Sequence, residues 1–336
     1  MNVMQIGLGP IGRAVSRLLL QKPDCHLVAA VEIDPTKQGC DLGEVLGLKH
    51  HVGLAVRGDF PSPQEHAIDV AVVTTASTLL EVLPTVQTLI ERGINVVTSA
   101  EELFYPYYRY PAQAEALDAL ARQHGVSVLG TGITPGFIMD TLVLVLTSVC
   151  QQVTRIAVTR VVNASGSRPS LQKKLGVGLT LETFAEQEAQ HRVGIVGLVD
   201  SLAFLAQVMQ WSMDDVKERL VPVITDKPLA AWCGQLVPGQ VCGVRYVVKG
   251  LSHGKEAISF DLRTYLAAEN ARDTIYIEGT PALDVTIKSP DLGDAAVAGL
   301  LVNLSPAVYR AHPGLLTMLD VPMPHFHRQL MEMQPT

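Results

Sequence analysis

Over the first 130 residues, short runs of unbroken apolar residues alternate with segments of helical period. The runs fall at residues 3–6, 27–32, 53–56, 69–74, 94–98 and 126–129. Between them, apolar positions recur three and four apart, most clearly at 11–20, 78–92 and 111–124. A run such as Val70-Ala71-Val72-Val73 has no polar alternation, which predicts a strand buried on both faces, as in a parallel sheet covered by helices on either side. The order strand, helix, strand repeated predicts an α/β, doubly wound parallel sheet, with ligands bound beyond the carboxyl ends of its strands.

The pattern then changes. Residues 153–162, 239–250, 257–267, 274–278 and 284–288 read as longer strands, interrupted by helical patterns at 181–191 and 196–211. The pair of strands flanking Ser252-His253-Gly254-Lys255 predicts a hairpin, and the set predicts a second, α+β domain with a mostly antiparallel sheet and helices on one face. Residues 293–309 form an apolar helical segment that is expected to pack back on the first domain. Residues 315–336, rich in proline and methionine, are expected to be irregular.

Composition narrows the classes. With 48% hydrophobic and 18% charged residues among 336, the chain holds ample core and is not generally disordered. A net charge of -7 argues against nucleic acid or an anionic membrane as the main partner. The most apolar segment, 141–149, is about half the length a spanning helix needs. The first strand begins within three residues of Met1 without a basic leader, so no secretory signal is expected. The 5 cysteines, Cys25, Cys40, Cys150, Cys233 and Cys242, form no C-x-x-C pair. Reduced thiols in a cytoplasmic protein are expected, with Cys233 and Cys242 as buried bystanders. Metal-ligand spacing is absent from the histidines, cysteines and acids, and no G-x-S-x-G occurs, so neither a metal nor a serine nucleophile is expected.

The first apolar run leads into Gly7-Leu8-Gly9-Pro10-Ile11-Gly12-Arg13, a G-x-G-x-x-G turn that opens a helix, and the next run ends at Glu32, 20 residues beyond Gly12. In such a unit Gly7 permits the turn, Gly9 admits a pyrophosphate close to the backbone, and Gly12 lets helix and strand pack tightly. The helix N-terminus offers free N–H groups to phosphate, and Glu32 can hold ribose hydroxyls. A Rossmann-type dinucleotide-binding domain over residues 1–135 is therefore expected. Its cofactor contacts are Gly7, Gly9, Pro10, Ile11, Gly12, Arg13 and Glu32, with Thr74, Thr75, Ala76 and Ser99 at the ends of later strands. A carboxylate at Glu32 repels a 2′-phosphate and favours NAD, while Lys37 and Arg13 leave NADP possible.

Three further loops leave the carboxyl ends of the predicted strands. One carries Glu101-Glu102, where a carboxylate can take a proton from an amine or alcohol, or activate a water. Either glutamate can fill that role, and both can instead cap the following helix. The loop 130–137 has three glycines and a proline in eight residues. Its Thr131, Ile133, Thr134, Pro135, Gly136 and Phe137 are expected to form a wall between nicotinamide and substrate, or else a hinge. Asn163, ending the first long strand of the second domain (136–292), is a candidate for the substrate pocket.

Several longer motifs add specificity. They are Val97-Thr98-Ser99-Ala100-Glu101-Glu102-Leu103 followed by Tyr105-Pro106, Gly130-Thr131-Gly132-Ile133-Thr134-Pro135-Gly136-Phe137-Ile138-Met139-Asp140, Leu171-Gln172-Lys173-Lys174-Leu175-Gly176, and Gly194-Ile195-Val196-Gly197-Leu198-Val199-Asp200-Ser201. Together with the glycine turn they resemble the 2,4-diaminopentanoate dehydrogenase and native amine dehydrogenase family. The resemblance implies a homodimer of dihydrodipicolinate-reductase-like architecture. It implies NAD(P)-dependent, reversible oxidative deamination of an amine to a ketone or aldehyde plus ammonia, with the active glutamate in Glu101-Glu102. Members of the family often carry histidine where this chain has Ile195 and aspartate where it has Asn163. A less polar pocket, suited to a simple amine rather than a diamino acid, is the expectation. Oxidation of an alcohol or hydroxy acid, 2,4-diaminopentanoate dehydrogenation proper and a non-catalytic dinucleotide sensor are the competing readings.

Overall fold

The computed structural model describes residues 1–62, 67–289 and 293–326. Strand β1 (Asn2–Ile6) leads into helix α1 (Pro10–Leu20), followed by β2 (His26–Val31), α2 (Leu42–Leu46), β3 (Val56–Arg57), β4 (Val70–Val73), α3 (Leu79–Glu91), β5 (Asn95–Thr98), α4 (Pro111–His124) and β6 (Ser127–Gly130). The next elements are α5 (Thr141–Thr147), β7 (Gln152–Asn163), α6 (Pro169–Lys174), α7 (Leu181–Ala189) and α8 (Leu198–Val208). Six strands follow: β8 (Asp215–Ile224), β9 (Leu229–Ala231), β10 (Gly234–Leu236), β11 (Val241–Ser252), β12 (Lys255–Tyr265) and β13 (Arg272–Thr280). The last are β14 (Leu283–Ile287), α9 (Asp294–Tyr309) and β15 (Gly314–Leu316).

The chain divides into two compact units, one of Met1–Gly136 with the described residues from 293 on, the other beginning at Phe137. The first is built on a 7-stranded, wholly parallel sheet in the order β15-β6-β5-β4-β1-β2-β3. Strands β4 and β6 are buried throughout and β5 at every residue but Asn95, as their apolar runs require. Leu79, Val82, Val86 and Leu89 of α3 and Leu117 and Ala121 of α4 pack against Met4, Ile6, Ala71, Val73 and Val96 of the sheet. Helices α1 and α9 take no part in that cluster; they pack on each other, and α9 also lies against β4, β5 and β6.

Residue 315 was expected to begin an irregular stretch, yet Leu315 and Leu316 are buried in β15, paired in parallel with β6. Three residues suffice because the edge of β6 is open and side chains fix the strand's ends. The Leu315 N–H donates to Asp118 Oδ1 at 2.8 Å, and Tyr107 OH donates to the Leu315 carbonyl at 3.3 Å. The remainder of that expectation, 327–336, lies outside the described residues. The run at 53–56 shrinks to the two residues of β3, since Gly53 adopts a φ of +78° that no strand continues through.

The second unit holds a 6-stranded sheet in the order β14-β13-β7-β12-β11-β8, antiparallel except for the parallel pair β7–β12. Strand β8 was not expected, because Lys217-Glu218-Arg219 interrupt any apolar alternation; it forms by pairing along β11. Helix α8 packs on β11 and β12, with Leu202 3.1 Å from where a Cβ on Gly250 would stand.

Candidate active site

The glycine turn is held from below by a buried side chain. Gln5, fully buried in β1, donates from Nε2 to the carbonyls of Ile6 (3.1 Å) and Gly7 (2.8 Å) and to Thr74 Oγ1 (2.8 Å). It thus ties the turn to the end of β4. A lone glutamine in an apolar strand marks Gln5 as unusual, but its partner Thr74, 69 residues on, is brought near only by the assembled sheet. Gly7 adopts φ +85°, and its N–H donates to the Val31 carbonyl at 2.8 Å. A Cβ on Gly12 would stand 1.8 Å from the Gly7 carbonyl oxygen, whereas one on Gly9 would meet nothing within 4 Å. Gly12 is therefore required for packing, and Gly9 borders open space. Helix α1 begins behind Gly9 with no side-chain cap and no acid in its first turn. Its first N–H groups and positive dipole end face that space uncompensated, the arrangement that receives a phosphate group. The residues present fit a dinucleotide.

Glu32 lies just past β2 and points back at the turn, its Oε2 accepting from the Leu8 N–H at 2.7 Å and its Oε1 from the Asp34 N–H at 3.1 Å. Burial alone would raise its pKa, but these N–H donors and Lys37 outweigh burial and hold the carboxyl below its usual value. Lys37 Nζ lies 3.5 Å from Glu32 and 3.3 Å from Asp34. Arg13 is half-buried in the first turn of α1, and Pro10 and Ile11 open that turn.

Thr74, Thr75 and Ala76 follow β4, and Ser99 follows β5, so both loops leave adjacent strands at the same carboxyl end as the glycine turn. Glu101 and Glu102 lie in a 3-10 turn over Glu101–Leu103 and have different surroundings. Glu101 is half-buried at the head of the turn. Glu102 is 6% exposed and accepts the Leu79 N–H on Oε2 at 2.9 Å, so it caps α3, which precedes it, rather than the helix that follows. The partner lies 23 residues upstream, beyond the reach of local sequence patterns.

The loop after β6 is tightly built. The Thr131 N–H donates to the Thr98 carbonyl at 2.9 Å, and Thr131 Oγ1 to Met318 Sδ at 3.1 Å. Gly136, at φ +125°, leaves only 2.2 Å between a hypothetical Cβ and the Gly132 nitrogen. The Thr134-Pro135 peptide is cis, and Thr134 Oγ1 is buried without a hydrogen-bond partner. Ile133 and Pro135 are buried, and Phe137 is half-buried at the start of the second unit.

Two further candidates, besides Phe137, belong to the second unit. Asn163 is exposed and accepts the Ser165 N–H on Oδ1 at 3.0 Å, closing the turn after β7. Ile195 is half-buried against the cluster that includes Val193, Leu236 and Val241. All 5 cysteines are free, and Cys233 is exposed rather than buried, since it stands in the tight connection between β9 and β10; Cys242 is buried. Among the described residues no group of three or more His, Cys, Asp or Glu side chains is placed to hold a metal, and no helix is long and apolar enough to cross a membrane.

A glycine cradle under an uncapped helix, on a parallel sheet joined to a second sheet-bearing unit, defines a dinucleotide-dependent dehydrogenase architecture. Residues 1–100 match the N-terminal domain of dihydrodipicolinate reductase, and residues 137–334 match the 2,4-diaminopentanoate dehydrogenase C-terminal domain. The chain is 30% identical to 2,4-diaminopentanoate dehydrogenase of Acetoanaerobium sticklandii, over 96% of this chain and 94% of that protein. It is 24% identical to an amine dehydrogenase of Streptomyces virginiae, over 94% and 95% of the two chains. The solved amine dehydrogenase of Mycobacterium smegmatis shares the fold, with a TM-score of 0.88 across 97% of both chains at 24% identity. The chain belongs to the 2,4-diaminopentanoate dehydrogenase family.

Proposed function

We propose that the chain is an NAD-dependent amine dehydrogenase, which reversibly deaminates a small amine to a ketone or aldehyde and ammonia. The carrying observation is Glu101, a half-buried carboxylate at the carboxyl end of β5, two strands from the glycine cradle, beside a second glutamate whose carboxylate is occupied as a helix cap. Gly7, Gly9, Ile11 and Gly12 would hold the pyrophosphate, Glu32 the ribose, and the loops at Thr74–Ala76 and Ser99 the nicotinamide end. A bound nicotinamide supplies the hydride acceptor for deamination.

Glu101 binds the substrate ammonium and takes a proton from it, freeing the nitrogen lone pair. Glu101 passes that proton to solvent, and as the carbon loses its hydride the restored carboxylate faces the iminium charge and stabilises it where water is scarce. Glu101 then draws a proton from a water that adds to the iminium carbon and returns it to the carbinolamine nitrogen. That nitrogen leaves as ammonia while the hydroxyl proton passes to the carboxylate and the carbonyl forms. The reverse sequence gives reductive amination.

Glu32 and Asp34 place two carboxylates around the single cation of Lys37, which supports NAD as the preferred cofactor, with NADP used weakly. Asn163 and Ile195 leave those two positions uncharged, which supports an amine without a second charge. Five unpaired thiols suit a cytoplasmic protein, and the chain works as a homodimer.

The test is spectrophotometric, at alkaline pH, with NAD or NADP and a panel of alkylamines, cyclohexylamine, 2,4-diaminopentanoate, alcohols and hydroxy acids. Amine-dependent NAD reduction, mirrored by ammonia-dependent NADH oxidation with ketones, is expected. Glu101→Gln should lower kcat by at least about 10²-fold, the low end for a lost general base, with NADH affinity unchanged. Turnover restricted to alcohols or hydroxy acids sinks the amine assignment. Much faster turnover of 2,4-diaminopentanoate than of simple amines replaces the substrate class.

A further inference from the structure

Resting on the role given above to Glu101, we infer that Glu102 is a positioning residue, which locks the turn carrying Glu101 to the start of α3. The N-cap position of α3 is Thr78, in extended conformation, a residue type that ordinarily caps with its own hydroxyl. Here the Thr78 Oγ1 donates instead to Glu81 Oε2 at 2.6 Å. The cap acceptor comes from another strand's loop: Glu102 Oε2 receives the Leu79 N–H at 2.9 Å, at a buried site.

The backbone makes the link reciprocal, since the Glu102 N–H donates to the Ser77 carbonyl at 3.2 Å. Two bonds thus join residues 77 and 79, after β4, to one residue of the turn after β5. On its other side the turn is closed in by β6, where a Cβ on Gly130 would stand 2.4 Å from the Leu103 carbonyl. Within β5's own exit, the Ala100 N–H donates to Thr98 Oγ1 at 3.1 Å. The turn that carries Glu101 is thus tied to the start of α3 on one side and packed against β6 on the other. A helix N-terminus also keeps the Glu102 acceptor on the protein rather than on substrate, because leaving a buried N–H unpaired is costly.

The discriminating variants are Glu102→Gln, which keeps an acceptor oxygen without charge, and Glu102→Met, which keeps the length without an acceptor. Hydrogen exchange of the amides at the start of α3, in the free protein, should be at least tenfold faster in Glu102→Met and within threefold of wild type in Glu102→Gln. In amine oxidation, Glu102→Gln should retain at least a third of kcat. Glu102→Met should lose at least tenfold in kcat, with the KM for amine and the affinity for NADH within threefold. Loss in Glu102→Gln as deep as in Glu101→Gln would overturn the inference, because Glu102 would then be acting through its charge. Equal exchange in the two variants, or full kcat in Glu102→Met, would overturn it as well. A wild-type protein without amine turnover sinks the functional reading, while the exchange contrast still decides the lock.

Discussion

Gly9 and Gly12, three residues apart, are constrained for different reasons, and a single methyl group separates them. Gly9 has φ -68° and ψ -173°, open to any residue, and free space where a Cβ would stand. Gly9→Ala should therefore leave stability within about 0.5 kcal/mol of wild type. It should nevertheless weaken NADH binding by roughly tenfold or more, because the methyl group occupies the space proposed for the pyrophosphate. Gly12→Ala places its Cβ 1.8 Å from the Gly7 carbonyl oxygen and 2.7 Å from Thr74 Oγ1, so the turn itself must move. A stability loss of about 1–3 kcal/mol, of the size seen for overpacking, should accompany its loss of cofactor. Thermal melts with an NADH titration separate the two; equal destabilisation would remove the distinction between cradle and packing glycine. The glycine spacing and Glu32 were legible in the sequence because their geometry is set within one strand–turn–helix unit. Gln5, which supports the turn through Thr74 from 69 residues away, and Glu102, which caps a helix 23 residues upstream, were not. In both, the side chain's role is defined by an acceptor or donor that only the assembled sheet brings near.

Elements show the same division between local and assembled order. The helices α1, α3 and α4 and the buried strands of the first sheet were visible because burial on both faces leaves an unbroken apolar run. Strand β8 was hidden by its own charges, and β15 by proline-rich surroundings; each exists because a longer strand offers it an edge. Charge also stitches the second sheet. Glu256 on β12 receives Arg155 Nη2 of β7 at 2.7 Å and Lys249 Nζ of β11 at 2.6 Å, so one carboxylate joins three adjacent strands. Burial would raise its pKa, but hydrogen bonds from Lys249, Arg155 and Ser259 prevail and push it down to about 2. A depressed carboxylate stabilises the fold above its unfolded value, near 4.5, and the contribution disappears as pH falls from there toward about 2. Glu256→Gln should thus cost about 1 kcal/mol or less at pH 7, the range of partly exposed ion pairs. Wild type and variant should converge in denaturant midpoint as the pH is lowered through that window. A gap that widens on acidification would reverse the sign assigned to the pair.

At the scale of the molecule, the second sheet has one face covered by its own helix and another that its own chain leaves half-open. On β7, Ile156, Val158 and Arg160 are buried, while Arg155, Ala157, Thr159 and Val161, facing the other way, are half-buried. Register extends that second face to Ser259 and Asp261 of β12 and to Thr274 and Tyr276 of β13. Arg245 and Arg263 on this face both hold Asp261, at 2.8 and 2.6 Å. The small residues Ala157, Thr159, Ser259 and Thr274 at its centre, beside the paired Asp261, make a surface that a second copy can cover at a closed twofold interface. The homodimer proposed above should therefore use this face, with a native mass about twice the 36.2 kDa of one chain. Ala157→Arg, central on β7, would force a cation into the contact and should raise the dimer dissociation constant by roughly 100-fold or more, since an unpaired buried charge costs several kcal/mol. Light scattering across a dilution series reads both quantities. A wild-type monomer at micromolar concentration removes the homodimer, and a dimer indifferent to Ala157→Arg moves the contact to another surface. The glycine cradle and the strand-end loops belong to the other unit, so the monomeric variant should still bind NADH, and that binding distinguishes a lost interface from a lost fold.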